Sequence, residues 1–203
     1  MNYQNRNMKT STSHPLRIDE VNISDCRGRI GMTFCPGKKQ PDAASGHWER
    51  DLETDLRVIK EWGTAILISL MEEKEFKELK VADLPKHARG LGLEWIYLPI
   101  EDISIPSPEI EKQWRIIVKG LKARLLRGES IVFHCKGGLG RTGTMAACLL
   151  KELWIDGKEA IRMVRDARPG TIENSEQENY VLNYMPMSDR RSRDNFAGCL
   201  LGG

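Results

Sequence analysis

Ile131-Val132-Phe133-His134-Cys135-Lys136-Gly137-Gly138-Leu139-Gly140-Arg141-Thr142 decides the reading of this 203-residue chain. Three apolar residues suited to a buried strand lead into a cysteine. A glycine-rich bend follows, and Arg141 stands six positions after Cys135. From Thr142 to Trp154 the sequence turns helical. A strand, a bend and a helix in that order can wrap successive backbone N–H groups around an anion. Glycines at 137, 138 and 140 permit the backbone angles such a cup requires. The helix start near Arg141 adds its positive end at the same point.

The side chains fit one chemistry. Arg141 offers a planar fork that grips two phosphoryl oxygens at once. Cys135 sits at the centre of the cup, where amides, helix end and guanidinium all favour its thiolate. Cysteines so placed titrate at about 3.5–7.5 rather than about 8.5. Such a thiolate can attack a phosphate ester and carry a phosphocysteine. Thr142 can donate its hydroxyl to the sulfur and stabilise the departing thiolate. His134 can hold the loop through its ring nitrogens, and Lys136 and Leu139 complete the lining. One rival is a dinucleotide site, because Gly138 to Gly143 satisfies G-x-G-x-x-G after a strand. It would need a second strand ending in an acid about 20 positions on. That region, Lys158 to Asp166, is charged and helical. No Gly-Lys-Ser/Thr occurs, which excludes a Walker-type loop.

Breaking a phosphate ester also needs a proton for the leaving oxygen. Asp102, in the loop 99–106, is the candidate, with Glu101 as direct competitor. The same loop could close over substrate. A third stretch, Arg168 to Gln177, places Ser175 as a helix cap. Gln177 either faces the site and places the attacking water or is a plain exposed glutamine. No metal and no cofactor enter this scheme.

Around these motifs the chain alternates strand and helix signals. Short strands are expected at 16–19 and 29–32, and a Gly/Pro/Lys loop at 35–46. An amphipathic helix over 49–62 stops at Gly63. A buried strand (64–70), a short helix (84–91) and another strand (93–98) follow. Ser107 then caps a long helix with Pro108 at its first position, ending at Gly128. After the strand 130–134 and the helix 142–154 come helices over 158–167 and 175–184. This is an α/β fold: a mainly parallel central sheet flanked by helices on both faces. The tryptophans at 62, 95, 114 and 154 are assigned to the core. Residues 1–13 are too polar to bury much and are expected to be disordered. The domain is expected over 14–186, with a linker and apolar tail over 187–203.

With 31 Lys+Arg against 29 Asp+Glu, the net charge of +2 gives no bulk reason for nucleic-acid binding. No run is apolar and long enough to insert in a membrane. Five cysteines at irregular spacing, without a secretory segment before them, suit reduced thiols and a cytoplasmic location. Nothing here bears on oligomeric state.

His-Cys-x5-Arg-Thr is the signature of the cysteine-dependent protein phosphatases. The chain resembles their dual-specificity branch, and within it the cyclin-dependent-kinase-associated type. The likeness rests on LPIEDISIPSPE (98–109), IVFHCKGGLGRTGTMAACLL (131–150) and RPGTIENSEQENYV (168–181). It implies a protein-tyrosine-phosphatase-like fold and a two-step mechanism without metal on phosphoprotein or other phosphomonoester substrates. It assigns Cys135 as nucleophile, Arg141 as clamp, Thr142 as helper of the second step and Asp102 as acid and base. In that family the acid precedes the cysteine by about thirty residues, and here 135 − 102 = 33. Lys136 departs from the kinase-associated type and resembles phosphoinositide phosphatases, although Leu139 stands where those loops carry a second basic residue. A phosphate-binding adaptor with a weak site is the other alternative. Residues 194–203 resemble the opening helix of ADP-ribosylglycohydrolases, which implies a truncated second domain.

Overall fold

The computed structural model describes residues 8–24 and 26–187. Five strands form the main sheet: β2 (Asp19–Val21), β3 (Ile30–Phe34), β6 (Thr64–Ser69), β7 (Glu94–Tyr97) and β8 (Ser130–Cys135). Their order is β2-β3-β8-β6-β7. Only β2 runs antiparallel, to β3; the β3–β8, β6–β8 and β6–β7 pairs are parallel. The mainly parallel sheet expected from the alternation is therefore present. β8 lies at its centre with every residue buried, which explains an apolar run without alternation.

Among the described residues, seven helices flank this sheet: α1 (Leu52–Glu61), α2 (Glu73–Glu78), α3 (Leu84–Gly90), α4 (Pro108–Leu126), α5 (Gly140–Glu152), α6 (Gly157–Ala167) and α7 (Ser175–Asn183). α5 packs on β3 and β8, with α4, α6 and α7 around it, while α1 and α3 pack towards β6 and β7. All of α5 is buried, so the helix that leaves the glycine bend is anchored along its whole length. Its start cannot drift without opening the core, where each buried Leu or Ile contributes about 1.5–3 kcal/mol. Local signals set the helix ends. Asp51 accepts from Thr54 N and Ser107 from Ile110 N, and Gly63 and Gly128 follow their helices at positive φ.

Several expectations are corrected. The first core strand is Asp19–Val21 rather than 16–19. The loop expected at 35–46 contains β4 (Lys39–Ala43), which pairs with β5 (Gly46–Glu49); Pro41 and a register shift between Gln40 and Ala43 hide the alternation. Helix α2 was not expected at all. Over 8–13, where composition suggests disorder, β1 (Met8–Lys9) pairs in parallel with β5 and a turn follows. Trp114 is fully buried, but Trp62, Trp95 and Trp154 are only partly so.

Candidate active site

The cysteine and the arginine converge where β8 ends and α5 begins. Cys135 is the last residue of β8 and is 3% exposed. Its Sγ accepts a hydrogen bond from Gly138 N at 3.2 Å. Gly138 is the loop glycine at positive φ (71°), and a Cβ there would stand 2.4 Å from the Thr33 carbonyl group. The bend therefore lies directly on the end of β3, and only glycine fits. A side chain at Gly140 would strike the Glu173 carboxylate at 2.4 Å, whereas Gly137 faces open space.

Arg141, in the first turn of α5, is buried (2% exposed). Its Nη1 donates to Glu75 Oε2 (2.6 Å) and Ile100 O (3.0 Å). Its Nη2 donates to Glu75 Oε1 (2.8 Å) and Asp102 Oδ1 (2.7 Å). Burial works against this charge, yet the Glu75 bonds, the Cys135 sulfur and Asp102 outweigh it and push the pKa up. For Glu75 burial is the largest single influence and raises its pKa. The hydrogen bonds from Arg141 and Glu72 and the Arg141 charge together hold it below the usual carboxylate value. Asp102 is half exposed, so one end of the guanidinium is pinned in the core and the other meets a carboxylate at the surface. Glu101, its competitor, is exposed and makes no ion pair among the described residues.

The loop bearing Asp102 is itself held. Ile103 adopts φ 65°, a strained state for a β-branched residue. Asn174 Nδ2 donates to Ile103 O (2.7 Å) and Gln177 Nε2 to Ser104 O (3.2 Å). Gln177 is fully buried, and its Oε1 accepts from Glu173 N. With a bond at each end of its amide, Gln177 braces the Asp102 loop. Glu173 Oε2 accepts from Gly140 N at 2.7 Å. That amide is engaged by the Glu173 carboxylate, while the Gly138 amide points to the sulfur. Arg168 grips the outer side through Gly138 O and Gly137 O and pairs with Asp19.

His134 is buried on β8. Trp95 Nε1 donates to Ser69 Oγ (2.8 Å), and Ser69 Oγ shares a hydrogen bond with His134 Nε2 (2.5 Å). Burial pushes the imidazole down to about 3, so the ring is neutral. The buried Oγ1 of Thr142 has no hydrogen-bond partner, so the expected bond to the sulfur is not made. Lys136 stands at the rim, 3.9 Å from Glu78. Leu139 is the N-cap of α5 and contributes only backbone. Glu75, Ser69, Arg168, Glu173 and Asn174 were missed from sequence. Their roles depend on pairings 30 or more positions apart, which no local pattern encodes.

A sheet whose central strand delivers a cysteine into a glycine bend closed by a buried arginine defines a phosphatase of the cysteine-dependent class. The profile of the family described as "Polymorphic toxin system, DSP-PTPase phosphatase" matches residues 44–153. That is more than half of the chain, and the chain belongs to this family. It is 29% identical over 175 residues to rat cyclin-dependent kinase inhibitor 3, covering 84% of this chain and 79% of the relative. It is 27% identical over 143 residues to human protein tyrosine phosphatase type IVA 3, covering 70% and 77%. The crystal structure of kinase associated phosphatase, with its catalytic-site cysteine replaced by serine, superposes with a TM-score of 0.72. There the identity is 26%, over 90% of this chain and 97% of that one. The chain is thus an enzyme of the cysteine-based dual-specificity and protein-tyrosine phosphatase class. The likeness of residues 194–203 to ADP-ribosylglycohydrolases is not supported by these matches, and those residues lie outside the described ones.

Proposed function

We propose that this chain removes phosphate from phosphoserine, phosphothreonine and phosphotyrosine in proteins, through a phosphocysteine on Cys135. The observation that supports this most is the guanidinium of Arg141, locked by Glu75 in the core and paired with Asp102 at the edge of the bend. A substrate phosphate takes the place of Asp102 on Nη2 and frees that side chain to face the leaving oxygen. Cys135 Sγ forms a bond to phosphorus as the ester P–O bond breaks, and Asp102 gives its proton to the departing oxygen. Water then attacks the phosphocysteine, Asp102 takes its proton, and the S–P bond breaks to release inorganic phosphate and the thiolate. Thr142 has the orphaned hydroxyl that can donate to the sulfur as it leaves. Gly138 N–H already holds that sulfur, and the neutral ring of His134 fixes the end of β8. Lys136, Gly137, Leu139 and Gly140 line the bound phosphate.

The kinase-associated type suits the finer assignment, because a relative and a superposed structure of that type span most of the chain. Phosphoinositides are the less favoured substrate. The domain is assigned to 14–186, and the cytoplasm to a chain whose four described cysteines are unpaired. The test is release of phosphate from p-nitrophenyl phosphate and phosphopeptides in EDTA. Cys135→Ser should abolish turnover and Asp102→Asn should lower it strongly. Activity that survives Cys135→Ser overturns the mechanism.

A further inference from the structure

Lys38 carries a charge that nothing in the scheme above uses. It lies in the turn between β3 and β4 and is 4% exposed. Among the described residues its ammonium makes no hydrogen bond and no ion pair. It lies over two rings instead, 4.9 Å from the Phe34 centroid and 4.4 Å from that of Trp48. Phe34 is the β3 residue in register with Cys135 on β8. The turn is held rigidly. Gly37 N donates to Asp55 Oδ2 (2.8 Å), and Lys39 N donates to Leu79 O (3.0 Å). Asp55, the carboxylate next to this turn, is spent on Gly37 and on a two-pronged pair with Arg50.

A buried ammonium without a counter-ion is costly, and aromatic faces offset only part of that cost. The site that can balance it, over Cys135, is at the end of the neighbouring strand. Resting on the reading of Cys135 and Arg141 as the phosphate site, we propose that Lys38 is a positioning residue. Its ammonium acts through space as a second positive charge on the anion bound over Cys135, and it raises the affinity of the bend for dianions.

The surroundings of Lys38 support this. Burial pushes its ammonium down to about 8, and the Cys35 and Cys135 sulfurs pull it back up. Arg50 at the start of α1 and Arg168 after α6 act against it, and both stay charged at any pH in question. Lys9 of β1 faces the same Trp48 ring. Cys35 is buried with its pKa pushed far up, and His134 is neutral well below pH 8. Lys38 therefore changes charge around pH 8.

Sulfate is the probe, because it keeps both charges throughout and leaves only the protein to titrate. Its binding is measured on the Cys135→Ser chain, which removes the nucleophilic sulfur, below and above pH 8. Affinity should fall about five- to tenfold as Lys38 loses its proton, the size expected for one charge acting on a dianion across a partly screened gap. Lys38→Met in the same background should bind sulfate weakly at both pH values. Lys38→Arg should bind well at both. A wild-type Lys38 chain whose affinity is flat across pH 8 overturns the proposal even if neither variant folds, and so does a Lys38→Met chain that keeps the pH-dependent fall. Absence of sulfate binding at any pH overturns it together with the phosphate-site reading. Turnover surviving Cys135→Ser refutes the mechanism alone.

Discussion

Glu75→Gln is the sharpest perturbation of the site, because it changes one atom of a buried ion pair and leaves its shape. Both side chains are almost wholly buried, and Glu75 accepts at 2.6 and 2.8 Å from the two ends of Arg141. The substitution keeps one accepting oxygen and turns an NH2 towards a guanidinium that can only donate. Removing one partner of a buried pair costs about 3–5 kcal/mol, because a charge is left without compensation. A domain has only about 5–15 kcal/mol in total. With a urea slope of about 2 kcal/mol per molar, the midpoint should fall by about 1.5–2.5 M. Asp102→Asn serves as control. It breaks the other arm of the same guanidinium, but at a half-exposed carboxylate, where such pairs contribute about 0–1 kcal/mol. Its urea midpoint should hardly move while its turnover collapses. Acid sharpens the contrast. The folded-state pKa of Glu75 lies below its ordinary 4.5, so its contribution is present above 4.5 and is lost as pH falls through the folded value. The stability of Glu75→Gln should therefore depend less on pH in that window. Equal urea midpoints for wild type and Glu75→Gln would refute the claim that this pair holds Arg141 in place.

Two further outcomes follow from the same geometry. Gly138→Ala should cost about 1–3 kcal/mol in thermal or urea unfolding and abolish activity, since its Cβ meets rigid backbone at 2.4 Å. Gly137→Ala, which meets nothing within 4 Å, should be close to neutral in stability. His134 is held neutral, its pKa depressed from 6.5 to about 3. The unfolded chain therefore binds a proton that the folded one refuses, and stability should fall by up to about 1.4 kcal/mol per pH unit on acidification through that range. His134→Asn should flatten this slope in urea titrations at successive pH values.

The mainly parallel sheet and the glycine bend were legible because the signals were local. An apolar run marked β8 as a strand, Ser107-Pro108 marked the start of α4, and Gly63 and Gly128 marked helix ends. The β4–β5 hairpin was hidden by loop composition and by Pro41. Helix α2 was hidden because six residues rich in Glu and Lys show little apolar periodicity. That omission mattered for the site, since α2 carries Glu75. Cys135, Arg141 and Asp102 stood out as candidates because one motif and one spacing point to them. The braces Arg168, Asn174 and Gln177 act on loops distant in sequence, and only the folded chain brings them to the bend.

In the proposed mechanism a phosphoryl group passes through Cys135. Rapid acid quench of the Asp102→Asn chain with a phosphopeptide, followed by intact-mass and peptide analysis, tests this most directly. The expected result is one phosphoryl group per chain, carried by the peptide that contains Cys135 and missing from the Cys135→Ser protein. Continued turnover with no phosphoryl group at position 135, or with the label on another residue, would contradict it.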